Sequence, residues 1–116
     1  MSDDLKRYLN AETALARVRG NKVLYIRMLG MFTGSEEFGH FEDAIGSGDI
    51  SKAADSAHTI KGMAGNLSLD AVAELSEKLM IELRAGGYDA ATLAEYREAL
   101  VRTNEIIAEY VETESE

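Results

Sequence analysis

Apolar residues recur every three or four positions along most of the chain, which is the spacing of one face of an α-helix. The clearest case lies between residues 49 and 67. Its apolar positions are Ile50, Ala53, Ala57, Ile60, Ala64 and Leu67. The same spacing predicts helices over about 69–85, ended by Gly86-Gly87, and over 89–112, with Asp89 as a cap.

A longer stripe precedes these helices. It consists of Leu24, Met28, Met31, Phe38, Phe41 and Ile45. The stripe predicts one long helix over 22–46, with Thr33-Gly34-Ser35 as the place where it would bend or break. Gly46-Ser47-Gly48 closes this helix, and Asp49 is the predicted N-cap of the next one.

A shorter helix is predicted over about 11–18, with Asn10 as its N-cap and Gly20 just beyond its end. Residues 3–9 would add a turn that covers one end of the core. Short glycine-containing connections imply that neighbouring helices are antiparallel. The sequence therefore predicts an all-α fold and a single domain over 1–116. Its architecture would be an antiparallel up-down four-helix bundle (22–46, 49–67, 69–85, 89–112) with a short N-terminal covering helix.

Composition excludes several classes of function. The net charge of −9 repels nucleic-acid backbones and anionic lipid, so we expect neither as a partner. The chain has no cysteine and two histidines, which leaves no thiol chemistry, and we predict no metal site. No apolar stretch is long enough to cross a bilayer, and no basic segment followed by an apolar run marks a secretory signal. We expect a cytoplasmic monomer.

The segment that carries candidate chemistry is AHTIKGMAGN, residues 57–66. At about 100° per residue, His58 points roughly 130° away from the apolar seam of its helix, and Gly62 lies opposite that seam. Gly65 points about 110° away. The remaining outward positions are Lys61 at the flank, Asp55 and Asn66.

Each glycine inside a helix costs about 1 kcal/mol relative to alanine. On an outward face, a glycine that lowers helix stability is explained if a partner must come close to His58. Imidazole, with an ordinary pKa near 6.5, is a good nucleophile at physiological pH. Lys61, three residues further on, is within reach of a phosphoryl group on that ring. Any one of these residues alone would be an ordinary surface residue; their combination points to phosphoryl exchange.

This ten-residue segment resembles the signature of histidine-containing phosphotransfer (HPt) domains. The resemblance extends upstream to the segments 14–21 and 24–32 and covers nearly the whole chain. It implies that His58 is the phosphoacceptor, that Lys61 assists the phosphate, and that Gly62 gives access. Gly65 matches a position that the family keeps small, and Asp55 and Asn66 are expected beside it in partner docking.

The resemblance also implies a function. The chain would accept a phosphoryl group from the aspartyl phosphate of one receiver domain and pass it to another. These receivers would belong to response regulators or hybrid histidine kinases. The chain would need no cofactor of its own, since the receiver would bring magnesium. No phosphate-binding GxxxxGK[ST] loop is present, so no kinase activity is expected.

Two alternatives remain open. The chain could bind receivers without transferring phosphoryl groups, although the presence of both His58 and Lys61 argues against a degenerate site. It could instead be the phosphoacceptor domain of a chemotaxis-type histidine kinase. Against this alternative, the start of the sequence and its acidic end lead us to expect a free-standing protein. Hydrolysis is the least favoured, because no nucleophile system can be assembled.

One departure from the family concerns the turn after the motif. Many members have Gly-Ala there, whereas this chain has Ser68-Leu69. We expect Ser68 to cap the following helix. The second histidine, His40, lies outside any such cluster, and we assign it no function.

Overall fold

The computed structural model describes residues 3–115; Met1, Ser2 and Glu116, which the predicted domain includes, lie outside that range. The described residues form helices and no strand, so the predicted all-α class is confirmed. The helices are α1 (Asp3–Lys6), α2 (Ala11–Arg17), α3 (Lys22–Thr33), α4 (Glu37–Ser47), α5 (Ile50–Asn66), α6 (Asp70–Arg84) and α7 (Ala90–Glu114). Over the described range, no helix has the length and apolarity that a membrane crossing requires.

Helix starts follow the local capping rules. The side chain of Asn10 accepts a hydrogen bond from the Thr13 amide at 3.3 Å, and that of Asp49 accepts one from the Lys52 amide at 3.1 Å. Asp89 accepts one from the Ala91 amide at 2.8 Å. Each bond satisfies a backbone donor that the first helical turn leaves unpaired. The three predicted caps are confirmed.

The predicted long helix over 22–46 is two helices, α3 and α4, separated at residues 34–36. Its apolar stripe is not the buried face of α3, because Leu24 and Met31 are exposed. The residues that α3 buries are Tyr25, Leu29 and Phe32, whereas α4 buries Phe41 and Ala44. In one straight helix these two buried faces would point about 120° apart, at 100° per residue. The break at Gly34 lets both faces reach the core.

Helix α5 lies at the centre of the packing. It makes its most extensive contacts with α6 and further contacts with α4. Its buried side chains are small apart from one isoleucine: Ala53, Ala54, Ser56, Ala57, Ile60 and Ala64. Small side chains let helix axes approach closely, so α5 is held against both neighbours along its length.

The turn between α5 and α6 corrects one expectation. Ser68 does not cap α6: the N-cap position is Leu69, and no side chain bonds there. Ser68 instead adopts a left-handed conformation with φ of +58°, and its buried hydroxyl has no hydrogen-bond partner among the described residues. Left-handed backbone favours glycine because it has no Cβ. A glycine at this turn, which the resemblance leads us to expect, would adopt this conformation without strain.

We predict that Ser68→Gly raises the free energy of unfolding by up to about 1 kcal/mol. Relief of the left-handed strain, roughly 1–2 kcal/mol, exceeds the entropic cost of a glycine, roughly 0.5–1 kcal/mol. Denaturant unfolding of both proteins measures the difference. Ser68→Ala is the control, because it removes the hydroxyl and keeps the Cβ. A Ser68→Gly protein less stable than the Ser68→Ala protein would contradict this account of the turn.

Candidate functional site

His58 lies in the middle of α5, on the side of the helix that faces solvent. Its neighbours Ala57 and Ile60 are buried, which fixes the rotation of the helix about its axis. The imidazole forms no hydrogen bond or ion pair with any residue in the described range. Both ring nitrogens are therefore open to a reagent from solvent, as the helical phase predicts.

Both ends of α5 are anchored, which holds His58 in place. Asp49 caps the start of the helix. At its end, Arg17 Nη1 donates to the Gly65 carbonyl at 2.6 Å, and the Tyr25 hydroxyl donates to the Leu67 carbonyl at 3.0 Å. Burial raises the pKa of the Tyr25 hydroxyl, so it remains a protonated donor throughout the neutral range. Two distant segments thus bond to carbonyls at the helix end: the Gly65 carbonyl, which also accepts from the Ser68 amide at 3.2 Å, and that of Leu67.

Gly62 and Gly65 lie on the same side of α5 as His58. A Cβ atom added at either position would meet nothing within 4 Å, so neither glycine is required by packing inside the protein. Each of them lowers the stability of the helix relative to alanine, and no packing contact inside the protein compensates for that loss. The outward orientation predicted for Gly62 is confirmed, and the surface beside His58 is flat there.

Lys61 borders this surface on the side of α6. Its Nζ atom lies 3.1 Å from Glu77 Oε1, across the contact between α5 and α6. Glu77 gives no signal in the sequence, because it is one of many acidic residues in a chain of this charge. The lysine that was predicted to assist a phosphate therefore already has an anionic partner.

On the flank of α5 opposite Lys61 lies an apolar groove of about 390 Å³. We call it the methionine groove, and its lining consists of Met28, Met31, Phe32, Ser35, Met63, Asn66 and Leu67. Asn66 is thereby placed at the edge of an apolar surface. Met31 of the α3 stripe, at 70% exposure, belongs to this groove and not to the core.

Asp55 is exposed one turn before His58, and its carbonyl accepts a hydrogen bond from the Thr59 hydroxyl at 3.2 Å. Its neighbourhood includes His40 of α4, across a polar cleft. His40 is exposed, with Nδ1 3.8 Å from Glu37 Oε2. The two histidines are thus on different helices. In residues 3–115, no group of three or more His, Cys, Asp or Glu side chains is arranged to hold a metal ion.

Comparison with known proteins gives one finding. A family model described as the Hpt domain matches residues 28–109, which is more than half of the chain and includes all of α5. The chain belongs to the Hpt domain family. The comparisons with curated proteins and with solved structures find no significant match.

We predict that Gly62→Ala raises the free energy of unfolding by up to about 1 kcal/mol, because alanine is the better helix former and an outward position offers no clash. Gly62→Gln should keep most of that gain. Thermal or denaturant unfolding measures both. Gly48→Ala is the contrasting variant, since Gly48 has φ of +75° and should lose stability. A loss of stability in both Gly62 variants would mean that this residue faces the interior.

Proposed function

We propose that this chain is a phosphocarrier of a multistep phosphorelay. It accepts a phosphoryl group on His58 from the aspartyl phosphate of one receiver domain and passes it to another. The observation that carries the proposal is an exposed, unpartnered imidazole at the centre of an anchored helix, in a chain of the Hpt family. The contacts of α5 with α4 and α6 and the short connections favour an antiparallel bundle as the scaffold.

In the proposed reaction, the unprotonated ring nitrogen of His58 attacks the phosphorus atom in line. The P–O bond to the receiver's aspartate breaks, the carboxylate departs with the electron pair, and a P–N bond forms. The proton on the other ring nitrogen is then released to solvent. Lys61 offsets charge on the phosphoryl oxygens, as a mobile point charge suited to a transient group. Magnesium would come with the receiver, and this chain would supply no cofactor.

The proposed docking surface comprises Gly62, Gly65 and the methionine groove. A receiver must bring its aspartate within bonding distance of His58, which the two glycines permit. The groove offers an apolar contact directly beside them, and methionine side chains adapt to irregular surfaces. Asn66 lies at the join between these parts, and Asp55 lies at the opposite end. We also propose that the protein is cytoplasmic and that it is a monomer until it binds a receiver.

We predict one phosphoryl group per chain, stable in base and labile in acid, on His58. His58→Gln should abolish labelling by a phosphorylated receiver domain. The variant should keep the helical content and the free energy of unfolding to within about 0.5 kcal/mol, because the side chain is exposed and unpartnered. Mass spectrometry under basic conditions locates the group. His40→Gln is the matched control and should label as the unmodified chain does.

Three results would overturn this assignment. Labelling that persists in His58→Gln would place the phosphoryl group elsewhere. Receivers that bind without ever transferring would favour a binding adaptor, the first alternative. Labelling by a histidine kinase domain with ATP, but by no receiver, would favour the phosphoacceptor domain of a chemotaxis-type kinase.

We predict that Met31→Gln weakens receiver binding by about fivefold, because loss of an apolar interface contact costs on the order of 1 kcal/mol. Gly62→Gln should slow transfer further, since its side chain occupies space that the receiver needs next to His58. Isothermal titration and transfer kinetics with the same receiver domain measure the two effects.

The control for the groove is Val101→Gln on α7. Val101 is 61% exposed, comparable to Met31, and does not line the groove. The control for the glycine is Gly39→Gln on α4, another exposed helical glycine with open space at its Cβ. Equal effects in the controls and in the test variants would remove the assignment of this surface to docking.

A further inference from the structure

The ion pair between Lys61 and Glu77 joins two helices. Lys61 is six residues from the start of the α5–α6 turn and Glu77 is eight residues beyond its end. Their 3.1 Å contact therefore requires α6 to fold back along α5. The side chains are 37% and 49% exposed, so water and an incoming ligand can reach both charges.

Lys61 also lies one helical turn from His58, where side chains three residues apart have Cβ atoms about 5–6 Å from each other. A phosphoryl group on His58 brings up to about two negative charges into that neighbourhood. It must attract the same ammonium group that Glu77 holds. The carboxylate and the phosphoryl group are both anions, so they compete for Lys61.

We propose that Glu77 is the resident counter-ion of Lys61 and a positioning residue for the phosphoryl group on His58. In the unmodified protein, Glu77 holds the ammonium group towards α6. In the phosphorylated protein, it draws the ammonium group away from the phosphoryl oxygens and leaves the phosphohistidine less stabilised. This inference rests on the proposed function and deepens it, because a carrier must keep its phosphoryl group easy to pass on.

The test measures the second pKa of the phosphoryl group on His58 by phosphorus NMR. The chain is labelled with phosphoramidate, a small donor whose P–N bond breaks as ammonia leaves and the new P–N bond to His58 forms. No partner protein is needed. Glu77→Gln frees Lys61, and a cation close to the phosphoryl group favours its dianion. We expect that pKa to fall by about 0.3–0.7, a two- to fivefold change that matches the modest strength of exposed ion pairs.

The matched control is Glu74→Gln, which removes the same charge from the same helix. Glu74 is exposed and forms no ion pair or hydrogen bond with another described residue. Its variant should shift the phosphoryl pKa by much less than Glu77→Gln does. Equal shifts would mean that Glu77 acts only through net charge, and the proposal would be wrong.

A second comparison isolates the path through Lys61. In a Lys61→Met background, Glu77→Gln should shift the phosphoryl pKa no more than Glu74→Gln does. A full shift in that background would overturn the proposal. His58 could take up phosphoryl groups from phosphoramidate and never exchange them with receivers. The relay function would then be wrong, whereas the pKa measurement would still test the role of Glu77. Failure of His58 to take up any phosphoryl group would overturn both.

Discussion

The close contact of α5 with its neighbours is the constraint on which the site depends. Alanine at positions 53, 57 and 64 allows α4 and α6 to approach the helix from the protein side. A larger side chain at any of these positions would force the helices apart, at a cost of about 1–3 kcal/mol. Because this face is fixed to the core, the opposite face must point to solvent. The orientation of His58 therefore follows from residues that have no chemistry of their own.

The ends of α5 add a second constraint. Arg17 and Tyr25 come from segments more than 40 residues away from the carbonyls that they satisfy. They prevent the last turn of the helix from fraying, and Gly65 lies in that turn. A nucleophile on such a helix keeps its position without hydrogen bonds to its own ring, which leaves the ring free to react.

The sequence predicted well what is decided locally. Asn10, Asp49 and Asp89 cap helices because the bond joins residues two or three apart. The seam of α5 was also correct, since a single helical phase holds throughout. In α3, however, the apolar stripe indicated the wrong face, because apolar residues there serve two surfaces. Burial of Tyr25 and exposure of Met31 depend on which helices lie alongside, and the pattern of one helix does not contain that information.

The contact between Lys61 and Glu77 could not be predicted from the sequence for a related reason. It joins two helices whose relative rotation is set by the whole core. Ser68 is a different case. The sequence suggested that Ser68 caps α6, and only the backbone angle shows that the position is left-handed and not a cap.

The break between α3 and α4 has a consequence for how such a protein can change over evolution. Before the break, one continuous apolar stripe faces outward at Met31; after it, the same stripe turns inward at Phe41. A substitution at Met31 alters the exposed groove and leaves the core intact, whereas one at Phe41 removes buried contacts. On the proposed assignment, a duplicated copy of this gene could acquire a new signalling partner through changes at Met31 without first having to recover lost stability.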